Sequence, residues 1–314
     1  MKKSLIALAV AGALTAPMVA QADATLYGSF RVALMSADDQ DLDLRDESTR
    51  IGIKGDVDLG LEGTKGLFHW EGQLETTDSD AYDAGTGTFA ARLAYLGATG
   101  DWGTALAGRQ YHPHYLWVNI PTDIFNTATS DAGEWAQLGN NQHKRQDNTL
   151  AYLTPVMGGF QAALGLVIAG SGDDADDDVD GYNVAAKYSA NGLYLAASYG
   201  DVDAIDRETW GVAATYDIDA LKLVARYEEQ ENAGVEDEAT EVGAIYNFGE
   251  GLSAKLRYSN LELNGNDGDQ WAAEVEQKLG KGRVYVGYFD YDSDAEALAA
   301  KYVDRLAIGY RVDF

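Results

Sequence analysis

Leu252-Ser253-Ala254-Lys255-Leu256-Arg257-Tyr258 is the stretch that decides the fold. Every second residue (Leu252, Ala254, Leu256, Tyr258) is apolar or aromatic, and Ser253, Lys255 and Arg257 stand between them. A helix would scatter those polar groups around its circumference, whereas a strand sorts them onto one face. The same alternation appears on either side of it. Leu221, Leu223, Ala225 and Tyr227 interleave with Lys222, Val224, Arg226 and Glu228. Trp271, Ala273 and Val275 interleave with Ala272, Glu274 and Glu276. At the end of the chain Leu306, Ile308, Tyr310, Val312 and Phe314 interleave with Ala307, Gly309, Arg311 and Asp313.

A two-sheet sandwich also alternates, and three features favour a membrane barrel over it. The segments approach the roughly 9–11 residues that a tilted spanning strand needs. Tyr, Trp and Phe recur near segment ends, where an aromatic girdle belongs. The connections alternate between short and long. Short ones fall at 99–101, 155–158, 189–192, 217–219, 247–251 and 279–282; long ones are expected at 37–47, 77–87, 111–146, 170–180, 231–238 and 292–300. The count gives an all-β, antiparallel up-and-down transmembrane barrel of about 16 strands.

The first residues read as an export signal. Lys2 and Lys3 precede an apolar run from Leu5 to Ala16, and Ala20-Gln21-Ala22 has the small-residue pattern of a cleavage site. Residues 1–22 are therefore expected to be removed, leaving 23–314 as the barrel domain. The chain has no Cys, so its stability has to come from packing and hydrogen bonding. The net charge of −28 includes Lys2 and Lys3 and moves to about −30 without them. So acidic a chain repels phosphates, which argues against nucleic acid as a partner. The acids concentrate in the expected long loops, as at Asp38, Asp39, Asp41, Asp43, Asp46 and Glu47, where charge stays hydrated.

Beyond pattern, the sequence resembles the general porins of the Gram-negative outer membrane. Ala24-Thr25-Leu26-Tyr27-Gly28-Ser29-Phe30-Arg31 is similar to their first strand, and Thr49-Arg50-Ile51-Gly52-Ile53-Lys54-Gly55 to their second. Ala91 to Gly97, then Trp102-Gly103 and Gly108-Arg109, resembles the fourth and fifth. Arg145 to Tyr152, with Thr154-Pro155 and Gly158-Gly159-Phe160, resembles the sixth strand and its turn. Terminal Phe314 looks like the signal read by the barrel-assembly machinery. The resemblance implies a homotrimer whose third loop, 111–146, folds into the lumen and narrows it. At about 36 residues that loop is far longer than ordinary connections, which points to function.

The resemblance further implies a basic wall facing an acidic loop. Strand parity puts Arg50 on the inner face, with Ile51 and Ile53 toward lipid. It puts Arg92 there too, opposite Leu93 and Tyr95, and Arg145 with Thr149 and Ala151. The family's first-strand Lys falls at Ser29, so Arg31, two residues on, is expected to replace it. On the loop, Asp123 matches a family acid. The Pro-Glu-Phe-Gly-Gly segment that often follows is absent, and Asp131 or Glu134 is expected to take its place. The function implied is passive diffusion of small hydrophilic solutes and ions, and the acidity of the chain points to cation preference. A solute-specific channel of the same fold is the alternative, ahead of a non-conducting adhesin or a barrel enzyme. Outer-membrane lipid and lipopolysaccharide would surround it.

Other signals carry less. Asp176-x-Asp178-x-Asp180-Gly181 begins like a calcium loop, but Lys187 stands where a bidentate Glu is needed. No cofactor is expected; the acidic rim has the chemistry for loose Ca²⁺ or Mg²⁺ binding. His112-Pro113-His114 reads as a surface pair, with no Cys to complete a metal site. No nucleophile elbow or phosphate-binding loop occurs, and the expectation is that the chain is not an enzyme.

Overall fold

The structure, a computed structural model, describes residues 23–77, 89–128, 132–138, 144–170, 178–202 and 206–314. The expected signal peptide, the start-of-calcium-loop residue Asp176 and Asp131 lie outside the described residues. The strand segments are β1 (Asp23–Ala37), β2 (Asp43–Asp46), β3 (Arg50–Leu61), β4 (Thr64–Leu74), β5 (Phe89–Gly100), β6 (Gly103–Tyr111) and β7 (Arg145–Leu153). They continue as β8 (Phe160–Val167), β9 (Gly181–Ala190), β10 (Leu193–Val202), β11 (Arg207–Ile218), β12 (Leu221–Asn232) and β13 (Val235–Gly249). The last four are β14 (Leu252–Leu263), β15 (Asn266–Leu279), β16 (Gly282–Tyr291) and β17 (Arg305–Asp313).

From β3 onward each strand pairs antiparallel with the next, and β1 pairs with β17 from Ser29↔Asp313 to Ala37↔Arg305, which closes the sheet. Both β2 and β3 pair with β1, β2 along Val32–Met35 and β3 along Asp23–Ser29. They are two pieces of one wall position, so the barrel has 16 spanning strands. Closure leaves no open edge and pairs the backbone groups within the wall. At the seam, Phe314 exchanges backbone hydrogen bonds with Gly28 and stacks on Phe30 at 6.0 Å.

The two faces sort as the alternation demands. Leu26, Phe30, Ile53, Leu96, Leu150, Leu164, Val212, Leu256, Val275 and Ile308 are exposed on one face. Ser29, Arg92, Thr149, Arg226, Glu228, Glu241, Arg257 and Glu274 are buried on the other. Aromatic pairs mark the two ends of the apolar belt: Trp102–Tyr152 and Tyr246–Phe248 at one, Trp210–Tyr227 and Tyr258–Trp271 at the other.

Two expected long loops are not loops. Residues 231–238 are strand except for the turn at Ala233 and Gly234, both at positive φ (52° and 80°). That backbone matches the twist of a two-residue hairpin, and a glycine at the second position adopts it without strain. The acidic run Glu229, Glu231, Glu236, Glu238 sits in the strand ends, where backbone pairing continues from Glu229↔Glu238 to Asn232↔Val235. In 37–47, Asp43–Asp46 folds back as β2 to pair with β1. The segment 292–300 contains a short helix, α1 (Ser293–Leu298), whose first turn is capped by the Asp292 side chain accepting from Ala295 N at 2.7 Å.

After β6 the chain forms a helical turn at Tyr115–Asn119, which packs against β9, β10 and β11. Trp117 and Val118 lie buried on Ala163, Ala185, Ala196 and Ala213, the small side chains that leave room for them. Replacing Ala213 by Leu should overpack this seat at a cost of about 1–3 kcal/mol. The temperature at which the folded barrel converts to its unfolded gel mobility is expected to fall; an unchanged temperature would show that the seat is not tightly filled.

Candidate functional site

The polar face carries two charged regions of different character. On β1, β3, β5 and β17, basic side chains crowd together. Arg31 pairs directly with Arg311 across the closure seam, and Arg311 with Arg283 of β16. Like charges directly opposite one another on a sheet repel. Arg50 and Arg92 add to the same repulsion, while Asp313 offsets it by holding Arg311 at 2.8 Å. Arg31 Nε donates to Ser29 Oγ at 2.7 Å, so the residue expected to replace the missing lysine is held by the side chain at that lysine's position. Arg50 Nε donates to no acceptor among the described residues.

Arg92 reaches the polar face, but not by the parity used to predict it. Exposed Leu96 and Ala94 define the apolar face of β5, so Leu93 and Tyr95 lie on the polar face. A bulge opposite Glu71 and Gly72 leaves Arg92 as an extra residue between Ala91 and Leu93. An extra residue in one strand lets two neighbours share a face, and simple alternation cannot show that. Arg92 Nε meets Glu71 Oε1 at 2.6 Å and its Nη1 donates to Gln73 Oε1 at 3.1 Å, both partners on β4. At Arg145 a bulge at 147–148 breaks the simple alternation with Thr149 and Ala151: Gln146, paired with Gln110, shares the face of Thr149, and Arg145 stands opposite Tyr111. Its guanidinium lies 5.7 Å from the Tyr111 ring centre.

The second region covers β12 to β15, where acids and bases are paired and fully buried. Arg226 and Glu241 stand opposite each other in register, 3.1 Å apart, and Arg226 Nε also meets Glu228 Oε2 at 2.8 Å. Arg257 reaches the same Glu241 at 3.3 Å. Lys255 Nζ meets Glu274 at 2.6 Å and Glu276 at 3.2 Å. Arg226, Glu228, Glu241 and Arg257 have no exposed side-chain surface.

What buries them is the segment between β6 and β7. His114 Nε2 donates to Glu228 Oε1 at 2.6 Å, and Asn119 Nδ2 to the same oxygen at 2.8 Å. Arg226 donates to Thr122 Oγ1 and to the Ala136 carbonyl, and Arg257 to the Gly133 carbonyl. Asn126 donates its backbone N–H and its side-chain amide to Glu274 and also reaches Glu276. Phe125 packs edge-on to Phe289, and Trp135 against Tyr291 and Tyr302. The segment is thus fastened to β12, β14 and β15 by charge-assisted hydrogen bonds. Removing one partner of such a buried set costs about 3–5 kcal/mol, because the other charge stays buried alone.

Asp123 and Glu134 are brought together on this segment and repel one another, with Lys144 held by Glu134 at 2.5 Å. Asp131 lies outside the described residues. The bridge from these acids to the basic region runs through Tyr115 and Tyr111: Tyr115 interacts with Asp123, Glu134, Tyr111 and Arg145. The expected surface pair at His112 and His114 is overturned for His114. It is 1% exposed, wedged between Ser198 Oγ at 2.6 Å and Glu228, so it fastens the segment to β10 and β12. Sequence had assigned Arg226, Glu228, Lys255, Arg257, Glu274 and Glu276 to one set of faces without showing that a loop would cover them. The exception to strict alternation at Val224, apolar on the polar face, is a trace of that cover: Val224 is buried in the cluster that holds Ile124 and Phe125.

A family model described as Gram-negative porin matches residues 7–310. Chitoporin of Vibrio furnissii is 30% identical over 213 residues, 63% of this chain and 54% of that protein. The chain thus spans little more than half the length of that curated relative. Among solved structures, Salmonella typhi OmpF in complex with daunomycin superposes with a TM-score of 0.76 at 19% identity, covering 93% of this chain and 97% of that one. The anion-selective porin from Comamonas acidovorans gives 0.73 at 19% identity, covering 94% and 100%. At such identities these two show the fold alone.

Burial raises the Asp123 carboxyl to about 7, with Glu134 adding to the rise. A free aspartate titrates near 4, so the docked segment binds this proton more tightly than the undocked one. The contribution to docking is complete below about pH 4 and is lost as pH rises through 7. Hydrogen-exchange protection of residues 115–127, corrected for intrinsic rate, should therefore fall between pH 5 and pH 8. Asp123→Asn should abolish that fall; a variant that keeps it would put the titration elsewhere.

Proposed function

The chain belongs to the Gram-negative porin family and resides in the outer membrane, and from that premise we propose a passive diffusion channel for small hydrophilic solutes and ions. The observation that carries this reading is a closed barrel of 16 strands with an apolar outer belt and a charged inner face. In the proposed channel, the segment from His112 to Leu138 lies inside the lumen against β9 to β16 and narrows it. The gap that remains is bordered by Arg31, Arg50, Arg92 and Arg145 on the wall and by Asp123 and Glu134 on the loop. Opposed charges across a narrow aqueous gap produce a strong transverse field, which orients dipolar solutes and disfavours apolar ones. We read the assembly as a homotrimer on the strength of the family resemblance.

Cation preference is the finer part of the proposal. A net charge of −28 gives the mouths an excess of carboxylates that concentrates cations, whereas the arginine row favours anions. On the loop-covered wall, acids and bases neutralise one another in buried pairs, so that region adds little. The mouths then outweigh the arginine row. One relative is named as anion-selective, so selectivity within this fold depends on the particular charge set. A solute-specific channel is the second reading, favoured by the likeness to a protein named chitoporin; flux that saturates with one solute would support it.

The test is current through the purified protein in a planar bilayer with a KCl gradient. Ohmic conductance in groups of three steps, with a reversal potential on the cation side, is expected. A folded barrel without conductance would contradict the channel, and an anion-side potential the cation preference. Replacing Arg50 and Arg92 by Gln should raise cation preference by a few fold, since each charge near the gap changes local ion concentration about twofold. Unchanged selectivity would remove these two from the constriction.

A further inference from the structure

Next to the arginine row, on the same polar face, three strands bring together a hydrogen-bonded chain that the channel reading does not use. His69 of β4 lies between two tyrosines. Its Nε2 is 2.6 Å from Tyr27 Oη of β1, and its Nδ1 is 2.8 Å from Tyr95 Oη of β5. Tyr27 Oη also donates to Glu71 Oε2 at 2.8 Å, and the other oxygen of Glu71 meets Arg92. The rings meet edge-on, Tyr27 to His69 with centres 5.7 Å apart and His69 to Tyr95 at 5.1 Å.

Tyr27 reaches β4 across the intervening strand because Gly52 has no side chain. A Cβ there would stand 2.6 Å from the tyrosine ring. Lys54, two residues along β3, lies 5.0 Å from the centre of the same ring. Trp70, the neighbour of His69, points to the apolar face, and His69 itself is half-buried on the polar one.

One proton arrangement satisfies the neutral ring. The Tyr27 hydroxyl gives its hydrogen to the carboxylate, so its oxygen accepts from His69 Nε2–H, and Nδ1 accepts from Tyr95. Adding a proton at Nδ1 requires only that the Tyr95 hydroxyl turn to accept it. Both ring nitrogens of the charged imidazole then donate to a tyrosine oxygen. A group that changes charge between pH 5 and 8 is ordinarily a histidine.

We propose that His69 is a selectivity-determining residue of the channel, whose protonation adds a cation to the basic wall and lowers the preference for cations. The inference rests on the channel reading above. The groups facing His69 are Tyr27 from β1, Lys54 from β3, Glu71 from its own strand and Tyr95 from β5. Glu71 alone is acidic among them, and it is already shared between Arg92 and Tyr27. A proton on His69 therefore changes the net charge of this wall.

Reversal potentials in a KCl gradient at pH 8 and pH 4.5 test this on the native protein, His69→Gln and His69→Lys. Asp123, His112 and His114 are common to all three, so the difference between proteins isolates His69. One charge beside the conducting path should lower the cation-to-anion permeability ratio on the order of twofold. The native ratio should fall on acidification by about that factor more than in His69→Gln. His69→Lys at pH 8 should already show a ratio reduced by about the same factor. An identical pH response in native protein and His69→Gln overturns the proposal, as does a native ratio in His69→Lys at pH 8. Absence of conductance in the native protein overturns the channel reading instead.

Discussion

A chain that lies in hydrocarbon must satisfy every backbone N–H and C=O from within, and a sheet does this only by closing. The remaining features follow from that requirement. Closure through β1 and β17 fixes one outer and one inner face, and the alternation of side chains then assigns each residue to one of them. Charge cannot be placed outside, so it accumulates inside. There it has three fates: hydration, pairing, or cover by another part of the chain.

The two halves of the inner face differ in which fate prevails. Around Arg31, Arg50 and Arg311, basic groups exceed acids and the pairing is incomplete. Between β12 and β15, Arg226, Glu228, Glu241, Arg257, Lys255, Glu274 and Glu276 are paired and dry. Buried ion pairs of this kind contribute little net stability over apolar packing, but a mispaired one is costly. Their value is therefore in register. A segment carrying His114, Asn119, Thr122 and Asn126 has one position at which all of these donors and acceptors are met, and sliding by a residue would strand several charges at once.

Most of the barrel was legible in the sequence because a period of two is local. The β14 stretch declared its faces without reference to any neighbour, and Arg31 and Arg50 fell on the predicted side. Legibility failed where geometry depends on a partner strand. The bulge beside Glu71 shifted Leu93 and Tyr95 to the opposite face, and nothing in Ala90-Ala91-Arg92-Leu93 announces it. The hairpin turn at Ala233-Gly234 is hidden because the strand ends on both sides, 228–232 and 235–238, are acidic and show no apolar alternation. His114 was misplaced because its partners, Ser198 and Glu228, are 84 and 114 residues away. Only the three-dimensional wall brings such partners together.

The account depends most on the segment after β6 being fastened to one wall while a path remains open beside it. The chain has no cysteine, so a pair introduced at Ile124 and Gly243, which meet without belonging to the charge-assisted fastening, can be joined selectively by a short thiol-reactive crosslinker. Single-channel conductance before and after joining is the direct measurement. A crosslink that forms readily and leaves the conductance nearly unchanged is the predicted result. Failure of the link to form, or a current that closes when it does, would show that the segment conducts only from another position and would contradict the account.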